Sequence, residues 1–87
     1  MTTLRIEITA EDIAGAERES AENCPIARAM QRTMSEESWE CDLSTVYRWP
    51  WCDPTYELPE VVKAAARQFN DTGYMEPITF DLVLFDV

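Results

Sequence analysis

The most informative gap in this 87-residue sequence is the complete absence of histidine. Histidine is the commonest general base near neutral pH and the commonest metal ligand, so Ser-His-Asp, Cys-His and histidine-based nuclease chemistry are excluded. The only two glycines, Gly15 and Gly73, cannot build a phosphate-binding glycine loop. The sequence also lacks the spacings of a calcium loop or a zinc site. We therefore expect a protein that is not an enzyme and that uses no cofactor or metal ion.

Basic residues are scarce as well. The chain has seven lysines and arginines and 17 aspartates and glutamates, which gives a formal net charge of −10. Direct binding of a nucleic acid needs cations that neutralise phosphates, so this class of ligand is excluded. An acidic surface instead steers association with basic partners, including the phosphate-binding grooves of nucleic-acid enzymes. The alternative is that the carboxylates only keep the surface soluble.

The sequence has no feature that divides the chain or directs it to a membrane. Linkers, internal repeats and low-complexity segments are absent, so residues 1–87 are expected to form a single α+β domain. No apolar run reaches the length of a membrane span, and the N-terminus lacks the pattern of a secretion signal. We expect a cytoplasmic protein with no membrane partner.

The cysteine pattern indicates free thiols. Cys24, Cys41 and Cys52 are an odd number with spacings that fit neither a Cys-x-x-Cys redox pair nor a zinc knuckle. Reduced thiols in a cytosolic protein are the simplest interpretation. The sequence leaves open whether Cys41 and Cys52 lie close enough to pair on oxidation.

Periodicity predicts the first strand and two helices. Apolar residues alternate from Leu4 to Ile8, which is typical of a strand with one buried face. Thr9 and Asp12 have the spacing of a capping box and predict a short helix over residues 10–17. Pro25 suits the first position of a second helix. Its apolar stripe consists of Ile26, Ala27, Ala29, Met30 and Met34.

The middle of the chain is predicted to be extended, and residues 38–51 form one long bent strand or two short ones. Pro50 to Pro59 is predicted to be a loop. The residues of one parity, predicted to face inward, are Trp39, Cys41, Leu43, Thr45, Tyr47, Trp49 and Trp51.

A third helix and a last strand complete the prediction. Pro59 fits the first helical position, and Gly73 fits the residue that ends the helix. The stripe of this helix comprises Val61, Val62, Ala65, Ala66 and Phe69. The final strand alternates from Ile78 to Leu84, and the apolar residues Val83 and Phe85 on its other face predict a central position in the sheet.

The order of these elements predicts a small two-layer α+β sandwich. Its sheet is antiparallel or mixed and packs against two main helices. If the middle segment forms two strands, a ferredoxin-like arrangement is the best candidate.

Three segments resemble small acidic proteins that bacteriophages and prophages encode. The segments are ITAEDI (Ile8 to Ile13), CPIARAM (Cys24 to Met30) and LPEVVKAAARQFNDTG followed by EPITFDL. The resemblance spans most of the chain except the segment with three tryptophans, and it brings no catalytic residues with it. It implies host-takeover or counter-defence factors that act by binding.

Cys24 and the aromatic residues are candidate contact residues. Cys24 lies at a helix N-terminus, where the helix dipole favours a thiolate, so it is a candidate ligand-contacting thiol; the alternative is a small buried side chain. Trp49 and Trp51 flank Pro50 and are candidate anchors for a partner. Trp39 is more simply explained as a core residue.

Two groups of carboxylates are candidates for mimicry of nucleic-acid phosphates. Solvated helix faces would have the same sequence. The first group is Glu11, Asp12, Glu17, Glu19 and Glu22, and the second is Glu36, Glu37, Glu40 and Asp42.

We interpret the sequence as that of a non-enzymatic phage-type protein that binds and inhibits or redirects a host protein. A defence component such as a CRISPR effector is one such host protein. One alternative is a small-molecule binder that sequesters a nucleotide, with the anion at the N-terminus of the Pro25 helix and a tryptophan stacked on the base. Another alternative is a homo-oligomeric structural protein, such as a homodimer that pairs through the aromatic segment.

Overall fold

The computed structural model of the chain describes residues 2–34, 38–49 and 55–84, which contain five strands and three helices. The strands are β1 (Thr2–Ile8), β2 (Ser38–Cys41), β3 (Thr45–Trp49), β4 (Tyr56–Glu57) and β5 (Ile78–Leu84). The helices are α1 (Ala10–Ala14), α2 (Pro25–Thr33) and α3 (Glu60–Thr72), and the order along the chain is β1-α1-α2-β2-β3-β4-α3-β5. The predicted α+β class, with antiparallel strands and two main helices, is confirmed.

The described strands form two antiparallel sheets. β1 pairs with β5 along its whole length, from Thr2 opposite Leu84 to Ile8 opposite Ile78. The second sheet has the order β2-β3-β4, so the middle segment forms two strands and a third short one. β5 was predicted to lie centrally, but within the described residues it pairs only with β1. Its second face carries Thr79, Asp81 and Val83, which are all exposed, so the strand is buried on one face only.

One cluster of buried side chains joins both sheets to the helices. The α2 stripe packs on β1 and β2, and α3 contributes Val62, Ala66 and Phe69. The largest fully buried side chains include Trp39, Tyr56, Ile6, Ile8, Ile26 and Met30. None of the described helices is both long enough and apolar enough to cross a bilayer.

Local signals predicted the starts of α1 and α2 correctly. Thr9 and Asp12 form the predicted capping box, with each side chain accepting the other residue's main-chain N–H. α2 begins at Pro25 as predicted. α1 ends at Ala14, three residues before the predicted end, because Gly15 caps it and its N–H donates to the carbonyl of Glu11.

The predicted inward parity of the middle segment holds for Trp39 and Cys41 and then fails. Leu43 is exposed, whereas Val46 is buried. The reason is a turn, in which the Asp42 carboxylate accepts the N–H groups of Ser44 and Thr45 and shifts the alternation by one residue.

The segment predicted to be a loop contains the short strand β4. Tyr56 and Leu58 are both buried, and Leu58 N–H donates to the carbonyl of Ser44. A strand of two residues has too little periodicity to be recognised from sequence. Pro50, Trp51 and Cys52 lie outside the described residues.

α3 departs from prediction at its start. Pro59 is the residue before the helix and not its first helical residue, and Val61 is 61% exposed in place of joining the apolar stripe. At the other end Gly73 has the left-handed conformation that the sequence predicts, with φ at 80°. Its N–H donates to the carbonyl of Phe69.

Candidate functional site

A cavity of about 240 Å³ opens where the N-terminus of α2, the end of β2 and one face of α3 meet. We call this cavity the thiol pocket. The side chains that determine its character are Cys24, Cys41, Leu43, Phe69, Glu19 and Asp42. Its wall is mainly apolar, and two carboxylate-bearing residues lie in its lining.

The loop between α1 and α2 is hydrogen-bonded to the two other segments that line the pocket, the end of β2 and α3. The Cys41 N–H donates to the carbonyl of Ala21 at 2.8 Å, which joins this loop to the end of β2. The Glu19 N–H donates to the Asn70 side chain at 2.7 Å. Arg18 donates to the carbonyl of Asn70 at 2.9 Å and to that of Asp71 at 2.6 Å. These bonds bring together segments that lie about 20 and 50 residues apart in sequence.

Cys24 and Cys41 both line the pocket. A hydrogen bond from the Cys41 thiol to the Cys24 thiolate, together with nearby main-chain N–H groups, outweighs the opposing effect of burial and lowers the pKa of Cys24 to about 7. One of those N–H groups belongs to Ala27, 3.4 Å from the Cys24 sulfur. The same contact with Cys24, together with burial, raises the pKa of Cys41. The pair therefore consists of one acidic thiol and one thiol that keeps its proton.

The proton of Cys41 has two acceptors within reach. Its sulfur lies 2.6 Å from the carbonyl oxygen of Asp42, and it also contacts Cys24. A thiol has a single proton, and a charged acceptor forms the stronger hydrogen bond. When Cys24 is ionised, it is therefore the favoured acceptor.

Carboxylates from the two acidic groups of the sequence meet beside the pocket. Glu19 and Asp42 line the pocket, and the exposed Glu22 lies on the loop between the lining residues Ala21 and Cys24. We call these three residues the acidic rim. Glu40 precedes Cys41 in β2 and therefore points to the opposite face of the strand, where it accepts a hydrogen bond from the Tyr47 hydroxyl at 3.3 Å.

Asp42 belongs to the acidic rim and also stabilises the turn that follows β2. Its carboxylate accepts hydrogen bonds from the main chain and hydroxyls of Ser44 and Thr45. Partial burial opposes ionisation of Asp42, but these bonds outweigh it and hold the pKa of the carboxyl below its ordinary value. Asp42 therefore carries its negative charge throughout the neutral range.

Most cations of the protein have partners within the same chain. Arg32 binds Asp12, Arg5 binds Asp81, and Lys63 binds Glu57 and Glu60. Further cations with internal partners are Arg18 on α3 carbonyls, Arg28 on Asn23 and Arg48 over the Trp39 ring. The described ion pairs involve only four of the 17 carboxylates, which leaves the protein with a strongly negative net charge.

The other predicted contact residues lie elsewhere or outside the described residues. Glu11 is exposed on α1, whereas Asp12 is buried and bound to Arg32, which removes its carboxylate from any recognition surface. Trp49 is 55% exposed at the end of β3 and does not line the thiol pocket. Glu36, Glu37 and Trp51 lie outside the described residues.

Sequence reasoning singled out Cys24 and the carboxylates but missed the contact between Cys24 and Cys41. The parity of Cys41 beside Trp39 was the one available signal, because it placed this thiol on the buried face of the strand. Among the described residues no cluster of three or more Cys, Asp or Glu side chains could hold a metal ion.

Comparison with protein-family models, with curated proteins and with solved structures found no match to this chain. The geometry of the thiol pocket and its acidic rim is therefore the basis for the functional argument.

Proposed function

We propose that this chain is a non-enzymatic protein that binds a basic segment of a partner protein at the thiol pocket. The observation that carries the proposal is an apolar cavity bordered by the acidic rim. Such a site suits an apolar side chain flanked by lysine or arginine, because the apolar group fills the cavity while the cations meet Glu19 and Glu22.

The size of the cavity favours a protein partner over a nucleotide. Pockets for drug-sized ligands measure roughly 300–1,000 Å³. The thiol pocket, at about 240 Å³, matches one or two side chains better. An anionic nucleotide would also meet Glu19 and Asp42, whose charges repel phosphate. Leu43, which is 44% exposed in the pocket lining, adds apolar surface for a peptide.

The charge balance supports a basic partner in the same way. The 17 carboxylates outnumber the seven cations by ten, so the outer surface stays negative even after every cation is counted. A net charge of −10 then accelerates the approach of a basic surface and makes the association sensitive to salt.

The resemblance to phage-encoded proteins makes a host protein in the bacterial cytoplasm the expected partner. Inhibition or redirection of a defence component, for example a CRISPR effector, follows if the bound segment normally contacts nucleic acid. In that case the acidic rim competes with phosphates for the same cations.

The proposal is tested by affinity capture from bacterial lysate with matched charge variants. Glu19→Gln/Glu22→Gln removes two exposed rim charges, whereas Glu7→Gln/Glu76→Gln removes two exposed charges from residues outside the pocket lining. Wild type and both variants are compared at low and physiological salt. The partner is then purified and its affinity measured with each variant.

We expect a stoichiometric partner that the rim variant binds about 2- to 30-fold more weakly, since each exposed pair contributes about 0.2–1 kcal/mol. The control variant should retain wild-type affinity. Equal weakening by both variants would mean that only net charge matters. An empty eluate at both salt concentrations, across several hosts, would contradict the proposal.

A further inference from the structure

Two thiols meet in the thiol pocket, and the proposed binding function requires neither of them. Cys24 caps α2, is half-buried and accepts the Ala27 N–H. Cys41 ends β2, is buried and lines the same cavity as Cys24. The 2.8 Å hydrogen bond from Cys41 N–H to the Ala21 carbonyl fixes the backbones that carry the two thiols.

We propose that Cys24 and Cys41 form a peroxide-reactive dithiol that closes to an intramolecular disulfide. In the first step the Cys24 thiolate attacks one oxygen of hydrogen peroxide, the O–O bond breaks, and the departing hydroxide takes a proton to become water. Cys24 is now a sulfenic acid. In the second step the Cys41 sulfur attacks the Cys24 sulfur, and the S–O bond breaks. The second hydroxide takes the Cys41 proton and leaves as water.

The environments of Cys24 and Cys41 determine which thiol reacts with peroxide first and which one then forms the disulfide. Cys24 is the more accessible of the two and lines the open cavity, and its pKa of about 7 leaves about half of it ionised at pH 7. Cys41 is buried and protonated, so it reacts only after Cys24 has become an electrophile. Glu19 and Asp42 disfavour anionic oxidants at this pocket but leave neutral hydrogen peroxide unaffected.

The test uses the full chain with Cys52→Ser, which leaves Cys24 and Cys41 as the only thiols. The folded protein receives equimolar hydrogen peroxide at pH 7, the remaining thiols are alkylated, and the unreduced protein is digested with trypsin. Cleavage after lysine and arginine puts Cys24 in peptide 19–28 and Cys41 in peptide 33–48. We expect these two peptides to be joined, with the loss of two hydrogen atoms, and to separate after treatment with dithiothreitol.

A second variant isolates the first step. Cys41→Ser/Cys52→Ser keeps a hydrogen-bond donor beside Cys24 but cannot form the disulfide, so Cys24 should stop at the sulfenic acid and be captured by dimedone. A pKa of about 7 in place of 9.0 gives about 50-fold more thiolate at pH 7. The lower nucleophilicity of the weaker base offsets about tenfold of this gain. Serine in place of Cys41 preserves only part of this lowering of the Cys24 pKa, so we expect capture to be faster in the folded variant than in urea by up to about fivefold.

The outcomes separate this proposal from the binding function, because no partner protein is present. Unlinked, alkylated peptides after peroxide treatment would overturn it, and so would a sulfinic or sulfonic acid at Cys24 without a link to Cys41. If Cys52→Ser fails to fold by circular dichroism, the wild-type chain answers the same question, since Cys52 lies in a third tryptic peptide, 49–63.

Discussion

Arg32 of α2 binds the buried carboxylate of Asp12 in α1, with 2.7 Å between guanidinium nitrogen and carboxylate oxygen. The same guanidinium nitrogen donates to the main-chain carbonyl of Glu7 at 2.6 Å. Asp12 also accepts the Thr9 N–H, so one carboxylate closes the capping box and ties two helices together. This contact connects the first strand to the helix that carries Cys24.

We expect Asp12→Ala to lower the free energy of unfolding at pH 7 by about 1–2 kcal/mol, because it removes both the capping bond and the ion pair. Burial opposes ionisation of Asp12, but the bonds to Arg32 and Thr9 outweigh it and hold its pKa below the ordinary value of 3.8. The contribution is thus complete above pH 3.8 and is lost as pH falls through the lower folded-state pKa. Urea unfolding of wild type and variant across this range measures the difference.

Glu11→Ala is the matched control for Asp12→Ala. It removes the same charge from the first turn of α1 but from an exposed side chain. Its effect on the free energy of unfolding should stay within about 0.5 kcal/mol. A loss at Glu11 equal to that at Asp12 would show that the general charge of the helix start matters more than the contact with Arg32.

Substitution of Trp39 and of Trp49 should affect stability differently, because Trp39 lies in the core and Trp49 lies at the surface. Trp39 is 2% exposed and packs against Tyr56, with ring centroids 6.2 Å apart, whereas Trp49 is 55% exposed. Trp39→Ala should cost about 3–5 kcal/mol of stability through the cavity it creates. Trp49→Ala should change stability by less than about 0.5 kcal/mol.

Far-UV circular dichroism in urea is the suitable measurement for both tryptophan variants. Each variant lacks one of the tryptophans whose fluorescence would otherwise report unfolding. A large loss for Trp49→Ala would mean that Trp49 belongs to the core. A small loss for Trp39→Ala would contradict the packing of β2 against α2.

Much of the fold could be predicted because its signals are local. The capping box of Thr9 and Asp12, the start of α2 at Pro25 and the left-handed Gly73 each depend on a few neighbouring residues. The parity error after Cys41 arose at a local turn, in which the Asp42 carboxylate binds the main chain two and three residues further on. This turn moved Leu43 outward, and hydrophobic periodicity alone does not show such a shift.

The site was predictable only in parts. Cys24 stood out as a helix cap, and the carboxylates stood out as two separate acidic groups. The meeting of those groups depends on the hydrogen bond between Cys41 and Ala21, which joins segments about 20 residues apart. Long-range pairing of this kind leaves no periodic trace in one sequence, so neither the thiol pair nor the acidic rim could be assembled beforehand.

Gly73 should be costly to replace because it ends α3 with φ at 80°, where a side chain is strained. Gly73→Ala should lower stability by about 1–2 kcal/mol. A Cβ atom at this position would also lie 3.4 Å from the Arg18 side chain, which donates to α3 carbonyls. Gly73→Asn should cost less, since asparagine tolerates this conformation best among larger residues, and thermal unfolding of both variants gives the order. A smaller loss for alanine than for asparagine would contradict the strain argument.

The reactivity of Cys24 should follow the hydrogen bond from Cys41. In a Cys52→Ser background, alkylation of Cys24 by iodoacetamide should rise with pH through a midpoint near 7 and then level off, because the thiolate is the reactive form. Cys41, whose pKa is raised, should stay unmodified while the protein is folded. Cys41→Ala removes the largest cause of the lowered pKa and should move the midpoint towards 9.0, whereas Cys41→Ser keeps a donor and should move it less. Mass spectrometry of peptide 19–28 across pH gives each midpoint. A midpoint near 9.0 in the parent protein would mean that Cys41 does not lower the pKa of Cys24, and the assignment of Cys24 as the thiolate that attacks peroxide first would lose its support.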